Sequence, residues 1–211
     1  MTPPCRLRVD LQLIADLVPE ASRVLDLGCG DGELLDKLIH EKGVDGHGVE
    51  LYHEHIYECV ARGVPVIHAD LDEGLSDYPD GSFDYVILSR TLQEVHKPLA
   101  ILREMMRVGK IGILSVPNFG YWRTRFQLFF QGRMPVTRSL PYQWYDTPNI
   151  HLPTLKDFIQ LLAAENIRVQ QRIVLANGRP RLLARCWPNA LAELVILVIE
   201  KNDKQSPSTR P

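Results

Sequence analysis

A short apolar run, Val24-Leu25-Asp26-Leu27, leads into Gly28-Cys29-Gly30-Asp31-Gly32-Glu33, and apolar residues then recur at Leu34, Leu35, Leu38 and Ile39. The run has the length and character of a buried parallel strand, and the spacing that follows is helical. Strand, glycine turn and helix in that order make the first crossover of an open α/β sheet, with a ligand site at the carboxyl end of the strand. Glycine belongs there because a side chain would fill the space a ligand must approach, and because such turns often need positive φ.

The glycine spacing narrows the ligand. A dinucleotide fingerprint wants glycine at the first, third and sixth positions. Counted from Gly28 the sixth residue is Glu33, and counted from Gly30 it is Leu35. A pyrophosphate at this helix start would meet the Glu33 carboxylate where the helix dipole favours an anion. A cationic ligand without phosphate suits Asp26 and Glu33 better. The stretch resembles motif I of class I methyltransferase folds, and the resemblance implies S-adenosylmethionine, or S-adenosylhomocysteine, as the ligand.

Two further acids lie where that ligand needs them. Glu50 ends the second strand, read over residues 44–49, and an acid at that tip faces the glycine turn and can accept both ribose hydroxyls. By the resemblance, Asp70 at the end of the third strand (64–69) accepts the adenine amino hydrogen and Leu71 supplies a backbone amide. Asp72 and Glu73 are adjacent, so the choice of acid stays open. The cofactor-binding set is therefore Asp26, Gly28, Cys29, Gly30, Gly32, Glu50, Leu51, Asp70, Leu71 and Ser89.

The rest of the chain alternates strand and helix patterns. Helical stripes cover residues 11–18, His53 to Arg62, the stretch after Pro98 and the stretch after Thr154; strands cover 83–89, 111–116, 168–175 and 194–199. The expected fold is α/β, a Rossmann-like class I methyltransferase fold with a seven-stranded, mostly parallel sheet and helices on both faces. The last strand reads as antiparallel through the resemblance alone. Residues 1–200 read as one domain, and 201–211 as a polar, disordered tail.

Composition excludes several classes. A formal net charge of −2 gives no general attraction to nucleic acid or anionic membrane. The longest apolar stretch, 194–199, is strand-sized and far short of a membrane span. Cys5, Cys29, Cys59 and Cys186 show neither CxxC nor metal-ligand spacing, which predicts reduced cysteines, no metal site and a cytoplasmic setting. The chain does not open with the apolar run of a signal peptide.

Between the fifth strand and the Thr154 helix, residues 118–150 are too long for an ordinary connection. This segment holds nine of the chain's sixteen aromatic residues, and four arginines against one acid, Asp146. Three readings fit. It is a helical lid over 121–130 that buries its own aromatics, a protein interface in which aromatics and arginine are enriched, or, with least support, a nucleic-acid platform. The expected interface residues are Tyr121, Trp122, Arg123, Arg125 and Phe129.

The same segment carries a more specific likeness. Pro117-Asn118-Phe119-Gly120-Tyr121-Trp122-Arg123, Gly132-Arg133-Met134-Pro135-Val136-Thr137 and Trp144-Tyr145-Asp146-Thr147-Pro148-Asn149-Ile150-His151, together with 24–32 and 182–188, resemble the MetW-type methionine biosynthesis proteins. The resemblance implies an accessory subunit of a homoserine O-acyltransferase. A stand-alone methyltransferase on a small metabolite is the alternative, with Glu94, His96 and His151 as candidates for acid/base work on the acceptor side. Ser89-Arg90-Thr91-Leu92 lacks the Asn/Asp-Pro-Pro-aromatic pattern of enzymes that methylate planar nitrogens. No Gly-x-Ser-x-Gly elbow is present, so acyl transfer by this chain alone is disfavoured.

Overall fold

A computed structural model describes residues 7–180 and 186–202. Eight strands form one sheet in the order β3-β2-β1-β4-β5-β8-β6-β7. They are β1 (Arg23–Leu27), β2 (Asp45–Glu50), β3 (Val66–His68), β4 (Phe83–Ser89), β5 (Gly109–Pro117), β6 (Ile167–Ala176), β7 (Arg179–Pro180) and β8 (Leu194–Lys201). Strands β1 to β5 pair in parallel, and β8 runs antiparallel between β5 and β6. The expected seven strands are all present. The eighth, β7, is a two-residue return after Asn177-Gly178, too short to leave a periodic signal.

Helices cover both faces: α1 (Val9–Leu17), α2 (Glu33–Lys42), α3 (His53–Arg62), α4 (Pro98–Val108), α5 (Trp122–Phe126), α6 (Leu155–Ala164) and α7 (Pro188–Leu191). Strand residues alternate between two buried clusters. Val24 and Ile87 pack with Ile14 and Leu35 of α1 and α2, whereas Leu25, Val86 and Leu88 pack with Leu102, Met105 and Phe158 of α4 and α6. Each fully buried aliphatic side chain contributes about 1.5–3 kcal/mol, so the sheet centre is a rigid platform for the loops at its carboxyl edge. Met105 and Met106 belong to this core. Among the described residues, no helix is long and apolar enough to cross a membrane.

Local signals set the boundaries. Gly43 and Gly63 close α2 and α3 in the left-handed conformation, with φ of 60° and 75°. Thr154 caps α6 by accepting the Asp157 N–H at 3.3 Å. β3 is shorter than expected because Pro65 has no N–H and offers only its carbonyl, which accepts from Gly48. At the other end of the chain, β8 runs through Lys201, and the Asn202 N–H donates to the Asn166 carbonyl at 2.9 Å. The start of the expected tail is thus ordered, and residues 203–211 lie outside the described residues.

Segment 118–150 leaves β5 through one buried side chain. Asn118 donates through Nδ2 to the carbonyls of Asn189 at 3.0 Å and Ala192 at 2.8 Å. Its Oδ1 accepts the N–H groups of Gly120 at 3.0 Å and Leu155 at 2.9 Å. All four bonds fall on backbone groups, so removing the amide strands buried donors and acceptors. The Asn118→Ala substitution is expected to lower unfolding free energy by about 2–4 kcal/mol, read from urea denaturation, with α5 loosened before the sheet.

Candidate functional site

The carboxyl ends of β1, β2 and β4 define the site. At the tip of β1 the chain turns through Gly28 and Gly30, with φ of 72° and 57°. A Cβ at Gly28 would collide with the Thr91 side chain at 2.6 Å, so glycine is required both for its conformation and for the approach of the loop after β4. A Cβ at Gly30 would meet nothing within 4 Å, which leaves that backbone open to a ligand. The Gly28 N–H donates to the Val49 carbonyl at 2.8 Å and fixes the turn against β2.

Glu50 is the organising acid. Its Oε2 accepts from the Gly30 N–H at 2.8 Å, and its Oε1 accepts from Leu51 N–H at 2.9 Å and Tyr52 N–H at 3.0 Å. His55 Nδ1 lies 3.7 Å from Oε1. The carboxylate is buried at the tip of β2 and held in one orientation. Leu51, by contrast, leaves much of its side chain exposed.

Asp26, 2 % exposed at the end of β1, has an Oδ1 with no hydrogen-bond partner. Burial pushes its carboxyl up to about 7, the neighbouring Glu50 charge pushes the same way, and Arg8 opposes both. An unpartnered buried carboxyl beside a second acid is complementary to a cationic group. Asp70 caps the 3-10 turn Leu71–Glu73 by accepting the Asp72 N–H at 2.8 Å, and Leu71 is buried beneath it. Asp72 instead accepts the N–H groups of His96 and Lys97, at 2.9 Å and 2.7 Å.

Other expected residues land differently. The Cys29 side chain turns into the core, 3.8 Å from Cys59 Sγ and packed on Gly48, so only its backbone borders the turn. Gly32 is likewise closed by Cys59, 2.9 Å from where its Cβ would stand. Ser89 Oγ is 3.1 Å from Ser115 Oγ across β4 and β5.

On the acceptor side, the carbonyl of Gln93 accepts the N–H groups of Ile150 and His151 at 2.8 Å and 3.0 Å, which brings Glu94 and His151 to one loop. His96 stays apart, exposed beside Asp72. Burial and the nearby Glu50 raise the Glu94 carboxyl above its usual range. Gln93 Oε1 and His151 Nε2 are buried without partners. Sequence reasoning missed Gln93, Thr91 and Arg90. Arg90 stands at φ 60° just past β4, with Nε 2.9 Å from the buried Asp10. Only that positive φ, a local strain that clusters at functional loops, distinguishes it, and no sequence pattern encodes it.

On the 118–150 arm, α5 continues as a π-turn, Gln127–Gln131. Of the expected interface set, Tyr121 is buried, Trp122, Arg123 and Phe129 are exposed, and Arg125 is bound to the Gly120 carbonyl at 2.6 Å. Phe129 is 82 % exposed and Phe130 68 %, with ring centroids 4.8 Å apart; Phe126 stacks on Phe130 at 4.7 Å. Trp144 and Tyr145 are each 71 % exposed. These aromatics pack on one another and on solvent, unlike a lid that buries its own rings.

A sheet of this order, with a glycine turn and acids at the tips of β1 and β2, defines a class I methyltransferase-like fold. The S-adenosylmethionine-dependent methyltransferase from Mesorhizobium loti has the same fold, with a TM-score of 0.67 at 18% identity, covering 92% of this chain and 98% of that one. Within that class, the chain matches the family described as methionine biosynthesis protein MetW over residues 8–199, and it belongs to that family. It is 38% identical over 208 residues to the bifunctional methionine biosynthesis protein MetXA/MetW of Rhodopirellula baltica, covering 94% of this chain and 33% of that protein. It is 31% identical over 134 residues to a demethylmenaquinone methyltransferase of Listeria welshimeri, covering 56% of each. The chain thus spans a third to just over half the length of these relatives.

The position of Asp26 has a measurable cost. Because its folded pKa is raised, its contribution to stability is fully present below the ordinary carboxylate range and is lost as pH rises through about 7. The Asp26→Asn variant is expected to gain on the native protein between pH 4 and pH 7.5, by on the order of 3–4 kcal/mol. Urea unfolding at several pH values checks this; a difference that does not change with pH removes the buried-carboxyl account.

Proposed function

We propose that this protein binds S-adenosylmethionine at the β1–β2 edge and serves as an accessory subunit of a homoserine O-acyltransferase in methionine biosynthesis, in the cytoplasm. The observation that carries the partner reading is the exposed Phe126–Phe129–Phe130 cluster on the arm. A surface of that kind is rare on a protein that works alone. The family resemblance supplies the partner class. The bifunctional MetXA/MetW relative, of which this chain matches a third, supports a working association of two units.

The residues present fit the proposed ligand. Glu50, fixed by three N–H donors, keeps one lone pair on Oε2 for a ribose hydroxyl. Asp26 offers an unpartnered oxygen to a cationic group, Gly30 leaves its backbone open, and Asp70 keeps one carboxylate oxygen for an exocyclic amine. When bound, S-adenosylmethionine supplies an electrophilic methyl group. The chain's part is to hold it and to shield the site from water.

A stand-alone methyltransferase is the second reading, favoured by the unpartnered Gln93 Oε1 and His151 Nε2 near Glu94. Transfer of a labelled methyl group to a metabolite extract by the isolated chain decides for it.

Two outcomes are expected. Acyl transfer by the acyltransferase of the same genome should rise at least about tenfold when this chain is added. The Phe129→Ala variant should weaken the complex by about 2 kcal/mol, roughly 30-fold, in calorimetric titration while keeping its fold. Equal activity with and without the chain ends the partner reading. Separately, affinity for S-adenosylmethionine should fall by up to about tenfold per pH unit below 7, with proton release on binding; an Asp26→Asn variant with the same pH profile would refute the assignment.

A further inference from the structure

The arm contains a second concave site that neither the fold nor the family accounts for. A cavity of ≈ 260 Å³ opens between α5 and the turn after β6, lined among others by Tyr121, Arg123, Gln127, Arg138, Asn177 and Glu193. Two guanidinium groups flank it. The Arg123 guanidinium lies over the Trp122 ring, 5.4 Å from its centroid. The Arg138 guanidinium lies against Gly178, where an added Cβ would come within 2.8 Å of Nη1. Among the described residues, neither guanidinium has a hydrogen-bond acceptor.

Several other arginines are paired, Arg62 with Asp31, Arg103 with Glu165, Arg107 with Glu104 and Asp80, and Arg168 with Glu200. Among the described residues, neither Arg123 nor Arg138 pairs with a carboxylate. Glu193, the one acid in the cavity wall, is buried. Its Oε1 accepts the Ser139 N–H and its Oε2 the Asn177 N–H, each at 3.1 Å. Gln127 Oε1 is buried in the wall without a partner, so its amide is available to reorient. The volume admits one carboxylate-bearing side chain, and two flanking guanidiniums favour a carboxylate over a neutral group.

We infer that this cavity receives an acidic side chain of the partner protein that covers the neighbouring Phe126–Phe130 aromatics. The inference rests on the partner reading above and adds its chemistry: an apolar patch to bury, with a glutamate or aspartate beside it to plug the arginine cavity. The Phe cluster supplies contact area, and the two arginines fix the register.

The test uses the reconstituted complex with the homoserine O-acyltransferase, comparing the native chain, Arg138→Glu, Arg123→Glu and Phe129→Ala, each checked for unchanged unfolding. Charge reversal at either arginine is expected to weaken the complex about 30-fold or more, and to flatten the loss of affinity between 50 and 500 mM salt. If Phe129→Ala weakens binding but both charge reversals leave affinity and salt slope unchanged, the acidic plug is wrong and the partner reading stands. If all three variants bind as the native chain does, both fall. Glutarate or inorganic phosphate is added to the isolated chain as a second arm. Stabilisation by either that is lost in Arg138→Gln, with no effect of Arg138→Glu on the complex, makes the cavity a small-anion site and overturns the proposal.

Discussion

One carboxylate joins the elements of the site. Glu50 takes three backbone N–H groups, one from the glycine turn after β1 and two from its own strand end. Without it, the Gly30 N–H would lose its protein acceptor, and the tips of β1 and β2 would be linked at this edge by little besides the Gly28 and Cys29 bonds to the Val49 carbonyl. The same charge sets the electrostatics around it. It raises the Asp26 and Glu94 carboxyls in concert with burial. An edge with two acids held close to one another is unstable toward protonation and complementary to a cation. That complementarity, rather than the glycines alone, separates this edge from a phosphate-binding crossover.

Much of this was legible in the sequence, for reasons that are local. The failed dinucleotide spacing, the acids Asp26 and Glu50 at strand tips, the Gly63 stop and the Thr154 cap each depend on a few neighbouring residues. What was not legible depends on partners far along the chain. Cys29 sits in the turn as any small residue could, and only the packing of Cys59, thirty residues away, decides that its thiol turns inward. Arg90, Thr91 and Gln93 form a loop without periodicity, yet Thr91 presses on Gly28 and Gln93 receives the returning arm.

The arm shows a different limit. Its aromatic and arginine content was plain, but not the direction each ring faces. Tyr121 and Phe129 are eight positions apart in a segment that changes from α to π pitch, so a helical wheel misplaces one relative to the other. The result is an inside made of Tyr121 and Thr124, and an outside made of Phe126, Phe129 and Phe130. A five-residue α-helix cannot persist on propensity alone. Here its entry is fixed by Asn118 and by the Arg125 bond to Gly120.

Both ends of the arm are fastened near the ligand edge, though by unlike means. Asn118 fixes the outgoing end to the start of α6 and to α7. The returning end, Ile150 and His151, is fastened to Gln93, two residues from the Thr91 that abuts the glycine turn. A partner on the arm and a ligand at the turn would therefore share one short loop. Sharing a loop is not coupling. Two ligands influence each other only when the shared element has two arrangements and each ligand prefers one of them. Residues 90–94 show one arrangement, with a non-glycine residue at positive φ and buried polar atoms on Gln93 and the adjoining His151 that have no protein partner. Strain and unpartnered polar atoms are where a second arrangement would gain most, and this loop lies between the proposed ligand edge and the proposed partner surface.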